Sequence, residues 1–297
     1  MFRNSILCCI LCFANLSLGQ TSTPSKEQWL QWKKKQYDKF LNEPTSFLNA
    51  YALKSITKGR RLYLNTTSDK RTTGWQTQAK GGVASIRNQG TDALVVRPGA
   101  KDQTVSAKRR RFHWTLTNGA IAEAVYGSSS NKVWAYLYDP EQIKKFTGFR
   151  FYPFDPKAIV KGVWNSWARS KPISYRTVQG DSREVFQVGE VTATLRGKSL
   201  NFKAYNWQDP EEELKYVALI FTDLTGGVET YGGGRELIVP FDKPLKDKSP
   251  MVLDFNRTNN FYCAHSPFWH CPVGLQQKVD VAVKAGEMNP LKKISHR

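Results

Sequence analysis

The chain has 297 residues, with 44 Lys and Arg against 25 Asp and Glu, a formal net charge of +19 and only 4 His. That length can bury a real core and is expected to split into two small domains. The positive excess suits an anionic partner or plain solubility. It is spread along the chain, with knots at Lys33-Lys34-Lys35 and Lys108-Arg109-Arg110-Arg111.

Residues 1 to 19 read as a secretory signal, with Arg3 at the positive start, an apolar stretch from Ile6 to Leu18, and Ser17-Leu18-Gly19 as a small-x-small cleavage site before Gln20. The stretch is shorter than the roughly 20 apolar residues a spanning helix needs, and no later segment reads as a membrane span. The expected location is therefore periplasmic or extracellular. Nucleic acid is a disfavoured partner there, and a small or polymeric anionic ligand of the cell envelope is the favoured one. Cleavage removes Cys8, Cys9 and Cys12 and leaves Cys263 and Cys271, an even pair in an oxidising compartment.

Ser25-Lys26-Glu27-Gln28 has capping-box spacing, and Trp29, Trp32, Gln36, Tyr37, Phe40 and Leu41 follow at helical intervals as far as Pro44. An amphipathic helix over 20–45 is expected, with its Lys triplet facing solvent. From 46 to 142 short apolar runs are divided by Gly, Asn and Asp: Val83 to Ile86, Ala93 to Val96, Phe112 to Leu116, Ala120 to Tyr126 and Val133 to Tyr138. These predict a small antiparallel β-domain, with turns at Thr117-Asn118-Gly119 and Gly127 to Asn131 and a mobile loop over Ser68 to Gly81.

A larger β-domain is expected over 143–297. Val191, Ala193 and Leu195 alternate with polar residues, as do Leu200, Phe202 and Ala204, on either side of Arg196-Gly197-Lys198-Ser199, which marks a hairpin. Tyr216 to Phe221 is a continuous apolar run, predicting a central strand buried on both faces. Glu236 to Val239, Met251 to Phe255 and Val279 to Val283 are expected to complete an antiparallel sheet, sandwich or partly closed barrel. No helix-strand alternation appears, so the fold class is mainly β.

Several blocks stand in a fixed order: Phe146-Thr147-Gly148-Phe149-Arg150-Phe151-Tyr152-Pro153, Thr230-Tyr231-Gly232-Gly233-Gly234-Arg235, Leu253-Asp254-Phe255-Asn256-Arg257, the two cysteines with Pro272, and Ala285-Gly286-Glu287. Together they resemble the Domain of Unknown Function 1684 family over roughly residues 146 to 288. The resemblance implies an uncharacterised function. The family usually continues Ala-Tyr-Asn-Pro after Asp-Phe-Asn-Arg, where this chain has Thr258-Asn259-Asn260-Phe261, and it usually places Glu-Asn after the Cys-Pro pair, where this chain has Val273 to Gln277.

Asp254, Asn256 and Arg257 can form a charge-assisted network that either pins the cysteine loop or presents a guanidinium to an anion. Arg235, after three glycines, is the natural second wall, with Tyr231 and Asp223 as further candidates for ligand binding. Two functions follow: an exported β-protein binding an anionic ligand through Arg235, Asn256 and Arg257, or a hydrolase with Asp254 as acid, base or nucleophile. A protein-docking or structural module is the third. Cys263-Ala264-His265 and His270-Cys271 admit a disulfide, a metal site or free thiols; the spacing matches no zinc knuckle, so a disulfide is favoured and no metal or cofactor is expected. Trp164, Trp167 and Trp207, with Tyr152, Tyr175 and Tyr205, pack a core or line a cleft for a sugar or another small molecule.

Overall fold

A computed structural model describes residues 24–78, 84–90, 92–96, 103–106, 111–127, 132–208, 214–241 and 246–291. The expected signal segment, the Lys108-Arg109-Arg110 part of the basic knot and the turn over 128–131 lie outside them. The chain forms two compact units, one built mainly from Asp38–Phe146 and one from Thr147 onward together with the segment ending at Tyr37.

Helix α1 (Lys26–Asn42) starts where the capping box predicts. The Ser25 N–H donates to Gln28 Oε1 at 2.9 Å and the Gln28 N–H to Ser25 Oγ at 3.3 Å, so two of the helix's orphan donors are satisfied reciprocally. Within the first unit, β1 (Ala50–Ile56), β9 (Lys132–Tyr138), β8 (Ile121–Gly127) and β7 (Arg111–Thr115) form one antiparallel sheet in that order. A second contains β3 (Gly74–Gln76), β2 (Arg61–Asn65), β4 (Ala84–Asn88), β5 (Asp92–Val96) and β6 (Gln103–Ser106). Ile56, Leu64, Trp75, Ile86, Trp114 and Val133 from the two sheets share one core. Ser68 to Gly81 does not behave as the expected loop in its described part. A 3-10 turn at Lys70–Thr72 leads into β3, because Trp75 buries its indole to 3% exposure and carries its neighbours into register with Leu64.

In the second unit the described strands make an open sheet in the order β15 (Pro250–Asp254), β10 (Ile159–Thr177), β11 (Ser182–Leu195), β12 (Lys198–Asn206), β13 (Tyr216–Thr222), β14 (Arg235–Pro240) and β16 (Asn259–Asn260). Short strands β17 (Pro272–Val273) and β18 (Gln277–Lys278) pair with β10 and β13. Among the described residues no barrel closes. The β11–β12 hairpin turns at Arg196 (φ 51°) and Gly197 (φ 77°), and this double left-handed pair matches the twist of the strands it joins.

Side chains alternate across β13, which decides the rest. Val217, Leu219 and Phe221 face one core with Val191, Phe202, Leu237, Leu253 and Phe255; Ala218 and Ile220 face a second with Val185, Tyr205, Phe261 and Leu275. The expected strand at Val279 to Val283 is not one. Val279, Val281 and Val283 do bury alternately against the first core, but their backbone meets single groups: the Val279 N–H donates to the Thr222 carbonyl, and the Val283 N–H to Asp223 Oδ2 at 2.6 Å. One-sided packing produced the alternation without a ladder.

Candidate functional site

The residues singled out from the sequence fall into two buried clusters. Asp254 ends β15 and caps a 3-10 turn at Phe255–Arg257 rather than continuing the strand. Its Oδ1 accepts the Asn256 backbone N–H at 3.1 Å and side-chain amide at 2.9 Å, and its Oδ2 lies 3.2 Å from Arg257 Nε. Burial pushes the Asp254 carboxyl's pKa up, against the pull of Asn256 and Arg257. Asn256 Oδ1 accepts the Asp155 N–H and its amide donates to the Asp155 carbonyl, both at 2.9 Å, so it locks the two chain segments together. Over this turn lies the start of α1: the Trp29 indole N–H donates to the Asn256 carbonyl at 2.9 Å, and Arg257 sits 5.9 Å from the Trp32 ring centre.

Arg235 and Asp223 make the second cluster. The Arg235 guanidinium is 1% exposed, 3.2 Å from Asp223 Oδ2, and donates to the carbonyls of Ala285 at 2.7 Å and Val283 at 2.9 Å. Burial lowers its pKa while Asp223 raises it. Asp223 also takes the Thr225 hydroxyl and the Val283 N–H. Tyr231 belongs to neither ion pair; it packs at the edge of the second core. The glycines after it have a steric reason, since a Cβ on Gly233 would stand 2.4 Å from Tyr231 Cε1. Cys263 and Cys271 are joined in a disulfide with Cα atoms 6.2 Å apart, and both are buried against Val185 and Leu275. Their loop is fixed further by His270, whose Nδ1 is 2.9 Å from Asp181 Oδ1. Although burial opposes its charge, hydrogen bonds from His270 and Thr177 hold the Asp181 carboxyl well below the usual carboxylate range. His265 Nε2 similarly meets Glu287 Oε1 at 2.5 Å, and Glu287 Oε2 takes the Asn260 N–H at 2.9 Å.

The aromatic residues divide. Trp164 is a core residue at 1% exposure and Tyr152 is buried, its hydroxyl donating to Glu229 at 3.0 Å. Tyr175 and Trp207 are different: both stay partly exposed on the second core, edge to face with ring centres 6.1 Å apart, beside Tyr205 and near Tyr231, Ile238 and Trp269. Among these rings stands Glu236, the first residue of the strand predicted over Glu236 to Val239 and not one of the predicted site residues. Register pairs it with Ile220 and places it on the Ile238 face. The Trp207 indole N–H donates to Glu236 Oε1 at 2.5 Å. The apolar setting raises the carboxyl's pKa to about 7, and the indole offsets this only in part. A charged residue alternating with inward apolar ones on β14 was the available signal.

The order of the blocks along this unit now has a counterpart among known proteins. Residues 144–288 match the family described as Protein of unknown function, DUF1684. The DUF1684 segment thus takes in both ion-pair clusters, the disulfide and the aromatic face. The solution NMR structure of an uncharacterized protein from gene locus rrnAC0354 of Haloarcula marismortui is similar, at 26% identity and a TM-score of 0.43, covering 52% of this chain and 83% of that one. No curated protein matches. Among the described residues of the DUF1684 segment and the rest of the chain, no helix is long and apolar enough to cross a membrane.

Proposed function

We propose that the chain is an exported binding protein whose second unit holds a hydroxyl-bearing ring, such as one sugar unit, on the face built from Tyr175, Trp207 and Glu236. The observation that carries this reading is a carboxyl set among half-exposed rings with an indole N–H as its partner. Aromatic faces stack on the C–H surface of a pyranose, and a carboxyl that changes charge near neutrality both donates to and accepts from hydroxyls. The signal-like leader at residues 1–19 supports export. Arg235 lends the anionic-ligand reading no support, because its guanidinium is committed to Asp223 and two carbonyls. Asp254 lends the hydrolase reading none, because one carboxyl oxygen accepts two Asn256 N–H groups and the other is buried facing Arg257 Nε at 3.2 Å. Titration calorimetry with N-acetylglucosamine and cellobiose tests the proposal. Binding that disappears in Trp207→Ala, with the unfolding midpoint retained, is the expected result; heats equal to buffer for both sugars overturn it.

A further inference from the structure

A second surface lies on β10, away from the paired register. Opposite β11 the pairing jumps from Ser166 with Gly189 to Lys171 with Gln187, so residues 167–170 bulge out of the ladder. Ahead of the bulge, the loop at 246–249 takes over from β15: the Trp164 N–H donates to the Ser249 carbonyl and the Ser166 N–H to Asp247 Oδ1, both at 2.9 Å. Past Ser166 the outer edge of β10 has no described partner strand until Arg176 meets Val273.

That edge carries an unusual combination. Trp167 is 37% exposed and Val163 39%, while Lys161, Arg169, Lys171, Lys246 and Lys248 around them are all exposed. Asp247 is the acid within the same loop, and its Oδ1 takes the Ser166 N–H. A bulge and basic side chains alone would be explained as protection of a strand edge against aggregation. An indole left in water at the same edge works against that purpose, since it supplies the apolar surface that protection removes.

We infer that this bulge is a docking surface for an anionic lipid bilayer, with Trp167 entering the headgroup region and Arg169, Lys171, Lys161, Lys246 and Lys248 facing the phosphates. Tryptophan suits that boundary because one end of its ring system is apolar and the other donates a hydrogen bond. Each cation near such a surface strengthens attachment about five-fold. A sulfated polysaccharide would meet the same cations but offers the indole no apolar phase to enter.

The test is co-sedimentation of the full chain with vesicles of phosphatidylglycerol and phosphatidylcholine, mixed or of phosphatidylcholine alone. Attachment to the mixed vesicles only is expected. Trp167→Ala should weaken it by about ten-fold or more, as loss of a buried large apolar side chain does, and Arg169→Ala with Lys171→Ala by about 25-fold. Removing an equal charge at Lys34 and Lys35, exposed on α1, should change it less than two-fold. Circular dichroism melting at the wild-type temperature shows that the variants fold. The inference is overturned by absence of attachment, by an equal loss in the Lys34 and Lys35 variant, or by a Trp167→Ala protein that attaches as well as wild type.

Discussion

Glu236 makes the sharpest demand on this structure. Its carboxyl has an ordinary value of 4.5 and a folded value of about 7. Between those limits the folded protein keeps a proton that the unfolded chain releases, so stability falls as pH rises through the window, and the loss is complete above pH 7. At 1.36 kcal/mol per tenfold change, the gap amounts to about 3 kcal/mol. Glu236→Gln keeps an oxygen for the Trp207 indole and removes the charge. The variant should match wild type near pH 4 and exceed it by about 3 kcal/mol at pH 8, which for a unit of this size is a rise of about 6 to 12 °C in melting temperature. Thermal melts at half-unit steps of pH read the difference directly. A difference that stays flat from pH 4 to pH 8, or a variant less stable at pH 8, refutes the placement of Glu236 among the rings.

Arg235→Ala leaves Asp223 buried without its cation and should cost about 3 to 5 kcal/mol in urea unfolding; a loss under 1 kcal/mol would mean that the pair is not buried as described. Asp254→Asn keeps the cap and removes a charge that burial disfavours, so it should not lower the unfolding midpoint at pH 7 and should leave sugar binding by calorimetry within two-fold; abolished binding would move the site to this turn. Replacing Cys263 and Cys271 together by Ala opens a short loop and should cost about 2 to 3 kcal/mol, read as a lower unfolding midpoint under non-reducing conditions.

What the sequence disclosed was local. The capping box at Ser25 and Gln28, the Arg196-Gly197 hairpin and the double burial of Tyr216 to Phe221 depend on neighbours a few residues apart, and their patterns are visible in the chain. The two cysteines are close enough in sequence for their pairing to be read as well. β1, β3, β6 and the long β10 escaped because polar residues interrupt their apolar pattern, β2 escaped although Leu62 and Leu64 do alternate, and β3 is held by a single tryptophan whose partner, Leu64, lies on another strand. The pairs of His265 with Glu287, His270 with Asp181 and Arg235 with Asp223 join residues from separate elements, and no spacing rule announces them. Trp207 and Glu236 are of the same kind: Trp207 follows the end of β12 and Glu236 sits in β14, each ordinary by itself, and only the folded chain brings them together.

That last point explains why the most conspicuous block and the best candidate site do not coincide. On β14, Arg235 and Glu236 are consecutive, so they leave the sheet in opposite directions. Arg235 goes to the side where the stretch from Val279 to Ala285 covers the first core, and there two of its N–H groups tie down the Val283 and Ala285 carbonyls, which have no strand to pair with. Glu236 goes to the other side, where the disulfide loop covers only part of the second core and leaves Tyr175 and Trp207 at its open margin. A one-residue slip of β14 would put the guanidinium among the rings and the carboxyl against Phe221, each without its partner. The ion pair of Arg235 with Asp223, the glycines that let Tyr231 fold over Gly233, and the capped turn at Asp254 all resist that slip. Their conspicuous chemistry is therefore spent on register, and register is what brings the less conspicuous Glu236 to that margin beside Trp207.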